Sequence, residues 1–501
     1  MNVVIVGGGT AGWLTAAVIA SQHRCNEHNG VTVAVIESAN IPSIAVGEGT
    51  WPTMRNTLHS IGLREKDVFK RCGAAFKQGG KFVNWRKNDG SYYYHPFNVP
   101  TGYGRFDLAP YLKDPLHYAE YTSFQHHVCE AGLAPRTLAD GEYQSPCNYA
   151  YHLDACAFGE LLKEHCVNKL GVTHTVGDVC EVNTTDKGEI AFLTLASAQQ
   201  IHADLFVDCT GMKSLLLGQA LQVGMNDVSD VLFNDSALAI QVPYEAEDSA
   251  IASYTIATAQ NAGWIWDIGL STRRGVGHVY SSKYLCDDEA EHNLRNYLGD
   301  AGEGISCRKI AFKSGYRKVF WKNNCVAVGL SAGFVEPLEA TAIMLVELSA
   351  RFIANNLTPD LKALQVVSQR FNEQMHYRWQ RIIDFLKLHY MLTQRDEPYW
   401  QDHRLEETFP QSLKDDLMVW NTRGPTIDDF NSAYELFPAA SYQYVLYGMG
   451  FTPDFSQQKY LYNGYAEAES LLRRTEKLSS QFLQNLPTHR EYIESWLANA
   501  P

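Results

Sequence analysis

The chain alternates between short apolar runs that end in glycine and stretches with helical spacing. Val3 to Val6 is an unbroken apolar run, as in a strand buried on both faces. Ala11 to Ser21 has helical composition, and Val31 to Ile36 is a second apolar run that stops at Glu37. Strand, helix and strand of these lengths predict a βαβ unit. The strand-then-glycine pattern returns in the segments Ile201 to Gly211 and Cys325 to Leu330. In Gly263 to Leu270, GWIWDIGL, alternation predicts a strand with Trp264 and Trp266 on one face. Between about residues 79 and 151 the sequence turns aromatic and irregular, and from Ala340 onward helical periodicity dominates. The pattern predicts an α/β module over residues 1–345 and a mainly helical module over 346–501, with no Pro-rich linker between them.

Charge narrows the classes of partner. With 42 basic and 56 acidic residues the net charge is −14, which disfavours a nucleic-acid or anionic-membrane surface. The apolar start carries no basic n-region and no cleavage site, so it reads as a buried strand and not a signal peptide. No apolar run reaches the roughly 18 residues of a membrane span. Eleven cysteines without CxxC pairs predict reduced thiols in the cytoplasm, with neither a disulfide framework nor a zinc ribbon. The only dense His/Cys stretch, Gln125 to Cys129, has no accompanying ligand set and reads as a structural loop, so no metal is expected.

Gly7-Gly8-Gly9-Thr10-Ala11-Gly12 fits GxGxxG. Its glycines permit a tight turn, close approach of a pyrophosphate and helix-on-strand packing. The motif follows a strand and opens a helix, and Glu37 closes the next strand, where a carboxylate accepts hydrogen bonds from ribose hydroxyls. Motif geometry alone does not separate flavin from nicotinamide. The two later strand-glycine segments, ending in Asp208 to Gly211 and Gly329 to Gly333, favour FAD, and Ile41 to Thr50 offers a further loop along it.

The glycine fingerprint together with Trp264, Trp266 and Ile268 resembles the flavin-dependent halogenases of the tryptophan halogenase type, whose second hallmark is WxWxIP; Gly269 stands where the family has proline. Four further stretches are similar to family segments: Phe76 to Trp85 to the lysine segment, Tyr94 to Phe97 to the pocket segment, Phe334 to Thr341 to the glutamate segment, and Arg395 to Trp400. The resemblance implies a Rossmann-like FAD-binding module of the flavin monooxygenase type, with a substrate-facing insertion at about 79–151, and a helical substrate module packed on it.

It also implies a reaction. Reduced FAD captures O2 as a C4a-hydroperoxide, a halide ion attacks its distal oxygen, and the hypohalous acid travels through a tunnel to an electron-rich aromatic such as indole or tryptophan. By position Lys77 matches the lysine that holds the oxidised halogen, and Glu339 the glutamate that polarises it and removes the arenium proton. Partial burial would free the Lys77 lone pair. FAD contacts are expected from Gly7, Gly9, Thr10, Ala11, Gly12, Glu37, Ala45, Val46, Gly47, Gly329 and Leu338. Pro337 fits the first position of a helix, which puts Glu339 in the first turn and leaves the N-H groups of Thr341 and Ala342 for bromide or chloride. The family has Ser-Thr-Gly after the glutamate, whereas this chain has Ala-Thr-Ala.

His95 and Phe97 match residues that sandwich a flat substrate, and Tyr442 and Tyr444 match tyrosines that grip an amino acid, although the acidic part of that grip is not evident. Trp264 and Trp266 become a wall that keeps organic substrate from the flavin. A nicotinamide-dependent reductase would need a distinct second GxGxxG, which the chain lacks, so a separate NAD(P)H-dependent flavin reductase is the expected transient partner. The remaining alternatives are an FAD-dependent aromatic monooxygenase and a non-catalytic flavin-binding homologue.

Overall fold

The computed structural model describes residues 1–27, 30–41, 47–431 and 433–498. Packing divides the chain into two interleaved compact units: residues 1–74, 153–228 and 313–376 form the first, and 75–152, 229–312 and 377–501 the second.

The first unit is built on a six-stranded sheet in the order Trp321–Lys322, Cys325–Ala327, Leu205–Asp208, Asn2–Val6, Thr32–Glu37, Thr173–Val176. Its pairings are parallel apart from the hairpin at the Trp321–Lys322 edge. Val3 to Val6 lies at the centre, with Val3 opposite both Leu205 and Val33. That explains the unbroken apolar run, since a central parallel strand buries both faces. The helix Thr10–Gln22 is buried continuously from Gly12 to Ala20. It packs against the helices Ala155–Lys169 and Thr341–Asn356, so no polar stripe is left on it. The βαβ unit read from the sequence is present at the expected place.

The second unit holds a seven-stranded sheet in the order Arg308–Ala311, Ser236–Pro243, Arg273–Tyr280, Gly263–Gly269, Thr255–Gln260, Gly79–Val83, Tyr92–Pro96. Every pairing is antiparallel except that of Thr255–Gln260 with Gly79–Val83. The aromatic stretch after residue 79 therefore supplies two strands of the sheet that contains the tryptophans. One face of the sheet, with Ile265, Leu238 and Val276, is covered by Ala290, Leu294 and Leu298 of the helix Asp287–Leu298. The other face carries Trp264 and Trp266.

After Gly333–Phe334 no strand occurs among the described residues. Residues 377–501 contribute to the second unit mainly helices, including Pro398–Asp402, Gln411–Arg423, Ala439–Gly448 and Tyr465–Asn485. The helical C-terminal third is thus as expected. Gln125 to Cys129, expected as a loop, instead lies in a short helix, Phe124–Glu130, whose Val128 joins Leu133, Cys147 and Leu486 in a local core. All eleven cysteines are free thiols. No helix among the described residues is long and apolar enough to cross a membrane.

Candidate active site

The glycine turn is set by close backbone approaches. At Gly7, φ is 122° and a Cβ would lie 2.1 Å from the Cys209 carbonyl oxygen; at Gly12 a Cβ would lie 1.9 Å from the Gly7 carbonyl oxygen. Only glycine lets the helix start so near the strand that feeds it. Gly9, by contrast, has nothing within 4 Å of where a Cβ would be, which leaves its backbone open to approach. The helix that begins at Thr10 has no side-chain cap and no acidic residue in its first turn, so its N-terminal dipole is not neutralised from within. Thr10 Oγ1 donates to the Ala155 carbonyl at 3.0 Å. Ala11 faces Gly329, where φ is 73° and a Cβ would come within 2.8 Å of the Ala11 methyl.

Glu37 ends its strand against the backbone of Gly8, and its carboxylate stands 2.8 Å from His174 Nε2 and 3.3 Å from Lys163 Nζ. Sequence reading missed both partners, because they come from a helix and a strand more than a hundred residues away. Ala45 and Val46 fall outside the described residues, while Gly47 opens the short strand Gly47–Gly49. A fully buried carboxylate, Asp208, ends the neighbouring strand and accepts from the N-H groups of Thr210, Leu216 and Leu217 and from Ser214 Oγ. This fixes the turn that follows, a role no local motif announced.

The glutamate turn departs from expectation. Pro337 does open a helical turn, but only a single 3-10 turn, Leu338–Ala340, in which Glu339 itself has non-helical backbone; the α-helix begins after it, at Thr341. Glu339 has φ 66° and Ala340 φ 55°, two successive non-glycine residues in the left-handed region. Such backbone costs about 1–3 kcal/mol per residue and persists where the surroundings impose it, often at functional sites. Trp51 Nε1 donates to the Glu339 carbonyl at 2.8 Å, and the Ala340 N-H bonds the Pro337 carbonyl at 3.0 Å. Leu338 is buried beneath the turn, Thr341 is buried, and Ala342 is exposed. The helix start at Thr341 has no side-chain cap and no acidic residue in its first turn.

In the second unit, Lys77 ends the strand Ala75–Lys77, which pairs antiparallel with Ala150–Asp154. It is only 4% exposed, a rare place for an amine. Its Nζ lies 5.4 Å from the Phe97 ring centre, and Phe97 is brought there by its N-H bonding the Gln78 carbonyl at 3.0 Å. In the register Ala75 faces His152 and Lys77 faces Ala150, so all four share one face, with two alanines leaving room between the amine and the imidazole. Burial first, and then the Lys77 charge, hold His152 well below the usual imidazole range and therefore neutral.

His95 is buried with Nε2 2.8 Å from Ser441 Oγ, and its ring meets Phe385 edge-on at 5.7 Å. The Tyr444 hydroxyl donates to the Asn98 carbonyl at 2.9 Å. The Tyr442 hydroxyl accepts from Arg381, whose guanidinium also pairs with Asp384, Asp416 and Glu435. Both tyrosines are buried to 1% or less, so these hydroxyls are engaged inside the core.

Trp264 and Trp266 sit on one face of their strand, ring centres 6.5 Å apart. Trp264 is 2% exposed and Trp266 partly exposed. The Trp266 indole lies across Gly277 of the neighbouring strand, where a Cβ would come within 2.1 Å of the ring. Gly269 ends the strand opposite Arg274, and a Cβ there would stand 2.9 Å from Ile251 Cγ2. The position is tightly packed despite lacking the proline.

The family model described as tryptophan halogenase matches residues 2–462. The chain is 35% identical to the 7-chloro-L-tryptophan 6-halogenase of Kutzneria sp. (strain 744), with 98% of each chain covered. It is 34% identical to the tryptophan 6-halogenase of Streptomyces toxytricini, covering 90% of this chain and 89% of that one. A crystal structure of a tryptophan halogenase from Shewanella frigidimarina NCIMB 400 has the same fold, with a TM-score of 0.93 and 43% identity over 100% of this chain and 98% of that one.

Proposed function

The chain belongs to the tryptophan halogenase family of flavin-dependent enzymes, and on that premise we propose that it uses reduced FAD, O2 and chloride or bromide to halogenate tryptophan or a related indole through Lys77 and Glu339. The observation that carries this reading is the burial of Lys77 beside a neutral imidazole and an aromatic ring.

FAD fits the residues present. The open backbone at Gly9, the uncapped helix start at Thr10 and the carboxylate of Glu37 suit a pyrophosphate and a ribose. Gly7, Ala11, Gly12, Gly47, Gly329 and Leu338, with Ala45 and Val46, complete the proposed cradle. When bound and reduced, FAD would activate O2, the oxidant that converts halide to hypohalous acid. The uncapped start of the helix at Thr341, with Thr341 and Ala342, is the proposed halide site.

Lys77 then either donates a hydrogen bond to hypohalous acid or, as the free amine, takes up the halogen with release of water and passes it to the arene. The Glu339 carboxylate accepts a hydrogen bond from the acid and removes the proton from the halogenated ring. His95 and Phe97 orient the flat substrate by ring contact, Tyr442 and Tyr444 frame its far side, and Trp264 and Trp266 keep it from the flavin. In this reading residues 1–345 hold the cofactor, with 79–151 facing substrate, and 346–501 complete the substrate side. A separate NAD(P)H-dependent reductase supplies the reduced flavin, since the chain has no second glycine fingerprint.

The test is turnover with FAD, NADH, a flavin reductase, oxygen and either halide, on tryptophan, indole and a panel of phenols, read by the halogen isotope pattern in mass spectra. Halogenated product in wild type, lost in Lys77→Ala with flavin reoxidation intact, supports the reading. Hydroxylated product without halogen defeats it in favour of a monooxygenase, and no product with either halide points to a non-catalytic homologue.

A further inference from the structure

Arg395 to Trp400, one of the stretches similar to the family, has no part in the chemistry above. Its last two residues lie in a continuous file of aromatic rings within the second unit. Ring centres are 6.5 Å apart from Trp266 to Trp264, 6.1 Å from Trp264 to Trp85, 5.5 Å from Trp85 to Trp400, 5.1 Å from Trp400 to Tyr399 and 5.5 Å from Tyr399 to Tyr284. The four interior rings are buried to 2% or less, and the two end rings, Trp266 and Tyr284, are partly exposed. Electron transfer falls off steeply with distance, so neighbouring rings in van der Waals range exchange an electron far faster than the two ends could directly.

The proton chemistry gives the file a direction. The Tyr399 hydroxyl donates to the side-chain amide oxygen of Asn234 at 2.9 Å, which is too weak a base to take the proton. The Tyr284 hydroxyl donates to the Asp402 carboxylate at 2.5 Å, and a carboxylate can take it. Oxidation of a tyrosine is favourable only with loss of that proton, so a radical settles at Tyr284 and not at Tyr399. Arg395, whose guanidinium lies 5.2 Å from the Trp400 ring centre, is paired with Glu397, which offsets its charge against a transient indole radical cation.

We propose that this file drains one-electron oxidants from Trp266 to the surface at Tyr284. A radical oxidant takes one electron from the Trp266 indole and is itself reduced. The vacancy passes along the file as each ring donates one electron to its predecessor. Tyr284 gives its electron inward and its phenolic proton to Asp402, leaving a neutral phenoxyl radical. A soluble thiolate then donates one electron, Asp402 returns the proton, and the thiolate leaves as a thiyl radical. The source of such oxidants, oxygen activation that fails to couple, rests on the function proposed above; the relay itself does not.

Pulse radiolysis of the full chain with azide radicals, which oxidise indoles, tests it without halide or substrate. In wild type the indolyl absorption converts to phenoxyl absorption at a first-order rate independent of protein concentration. Tyr284→Phe, which keeps the ring, removes most of that phenoxyl growth. Asp402→Asn slows it several-fold, while Tyr460→Phe, an exposed tyrosine outside the file, changes neither. Unchanged phenoxyl growth in Tyr284→Phe, or an unchanged rate in Asp402→Asn, overturns the proposal. A chain that fails to halogenate but relays, or halogenates without relaying, separates this inference from the function.

Discussion

Two helices of the first unit, Thr10–Gln22 and Thr341–Asn356, pack against each other, and both begin without a side-chain cap or a first-turn acid. Their approaches differ. The first is reached through glycines, at Gly7 with φ 122° and at Gly12 against the Gly7 carbonyl. The second is reached through Glu339 and Ala340, which hold left-handed backbone without being glycine. Glycine makes the first turn inexpensive and writes it into the sequence. The second is imposed by its surroundings, stores strain, and leaves no mark in the residue types. Backbone geometry at a site is therefore legible only where the chain adopts the residue that makes it easy.

The largest effect is expected at the first start. Gly12→Val places a side chain into the Gly7 carbonyl and should destabilise by about 3 kcal/mol or more, read as a lowered unfolding midpoint with loss of FAD binding. Retained FAD binding would mean that the strand-to-helix approach is looser than the geometry indicates. At the second start, Glu339→Gln keeps the backbone and removes only the carboxylate. It should cut the halogenation rate strongly while leaving the unfolding midpoint nearly unchanged, and an unaltered rate would reduce Glu339 to a structural role.

A pH profile sharpens the contrast between the helix bodies. The first helix, TAGWLTAAVIASQ, carries no titratable side chain, whereas the second buries Glu347, which accepts from Thr53 and Thr57 and whose carboxyl is pushed by burial from 4.5 up to about 7. The folded state thus holds this proton more tightly than the unfolded one. Its contribution to stability is full below pH 4.5 and is lost as pH rises through about 7. Glu347→Gln should therefore raise the midpoint at pH 8 relative to wild type and change it less at pH 5, measured by thermal unfolding. The smallest effect is Ala340→Gly, which relieves one left-handed residue and should stabilise by about 1 kcal/mol. A fall in the midpoint would show that this turn is not strained.

Much of the first unit was legible. The apolar run at Val3, the glycine spacing and Glu37 specify a central strand, a close helix and a second strand, because each is local along the chain. The alternation at Trp264 and Trp266 likewise predicted a strand with both indoles on one face. Less accessible were the partners that complete each feature. Gly277 makes room for the Trp266 ring from the next strand, and His174 and Lys163 pair with Glu37 from elsewhere in the unit. The short helix at Phe124–Glu130 was missed because its spacing is too brief to display a period.

By itself, then, the sequence determined the βαβ start and the helical C-terminal third, since hydrophobic period and glycine placement act over a few residues. Only the tertiary structure decided that residues 79–83 and 92–96 join the tryptophan sheet, that the chain interleaves two units, that Lys77 is buried beside a neutral His152, and that Glu339 precedes its helix in a left-handed turn. The physical reason is range. Register, burial and imposed strain arise from contacts between residues far apart along the chain, and no local pattern encodes them.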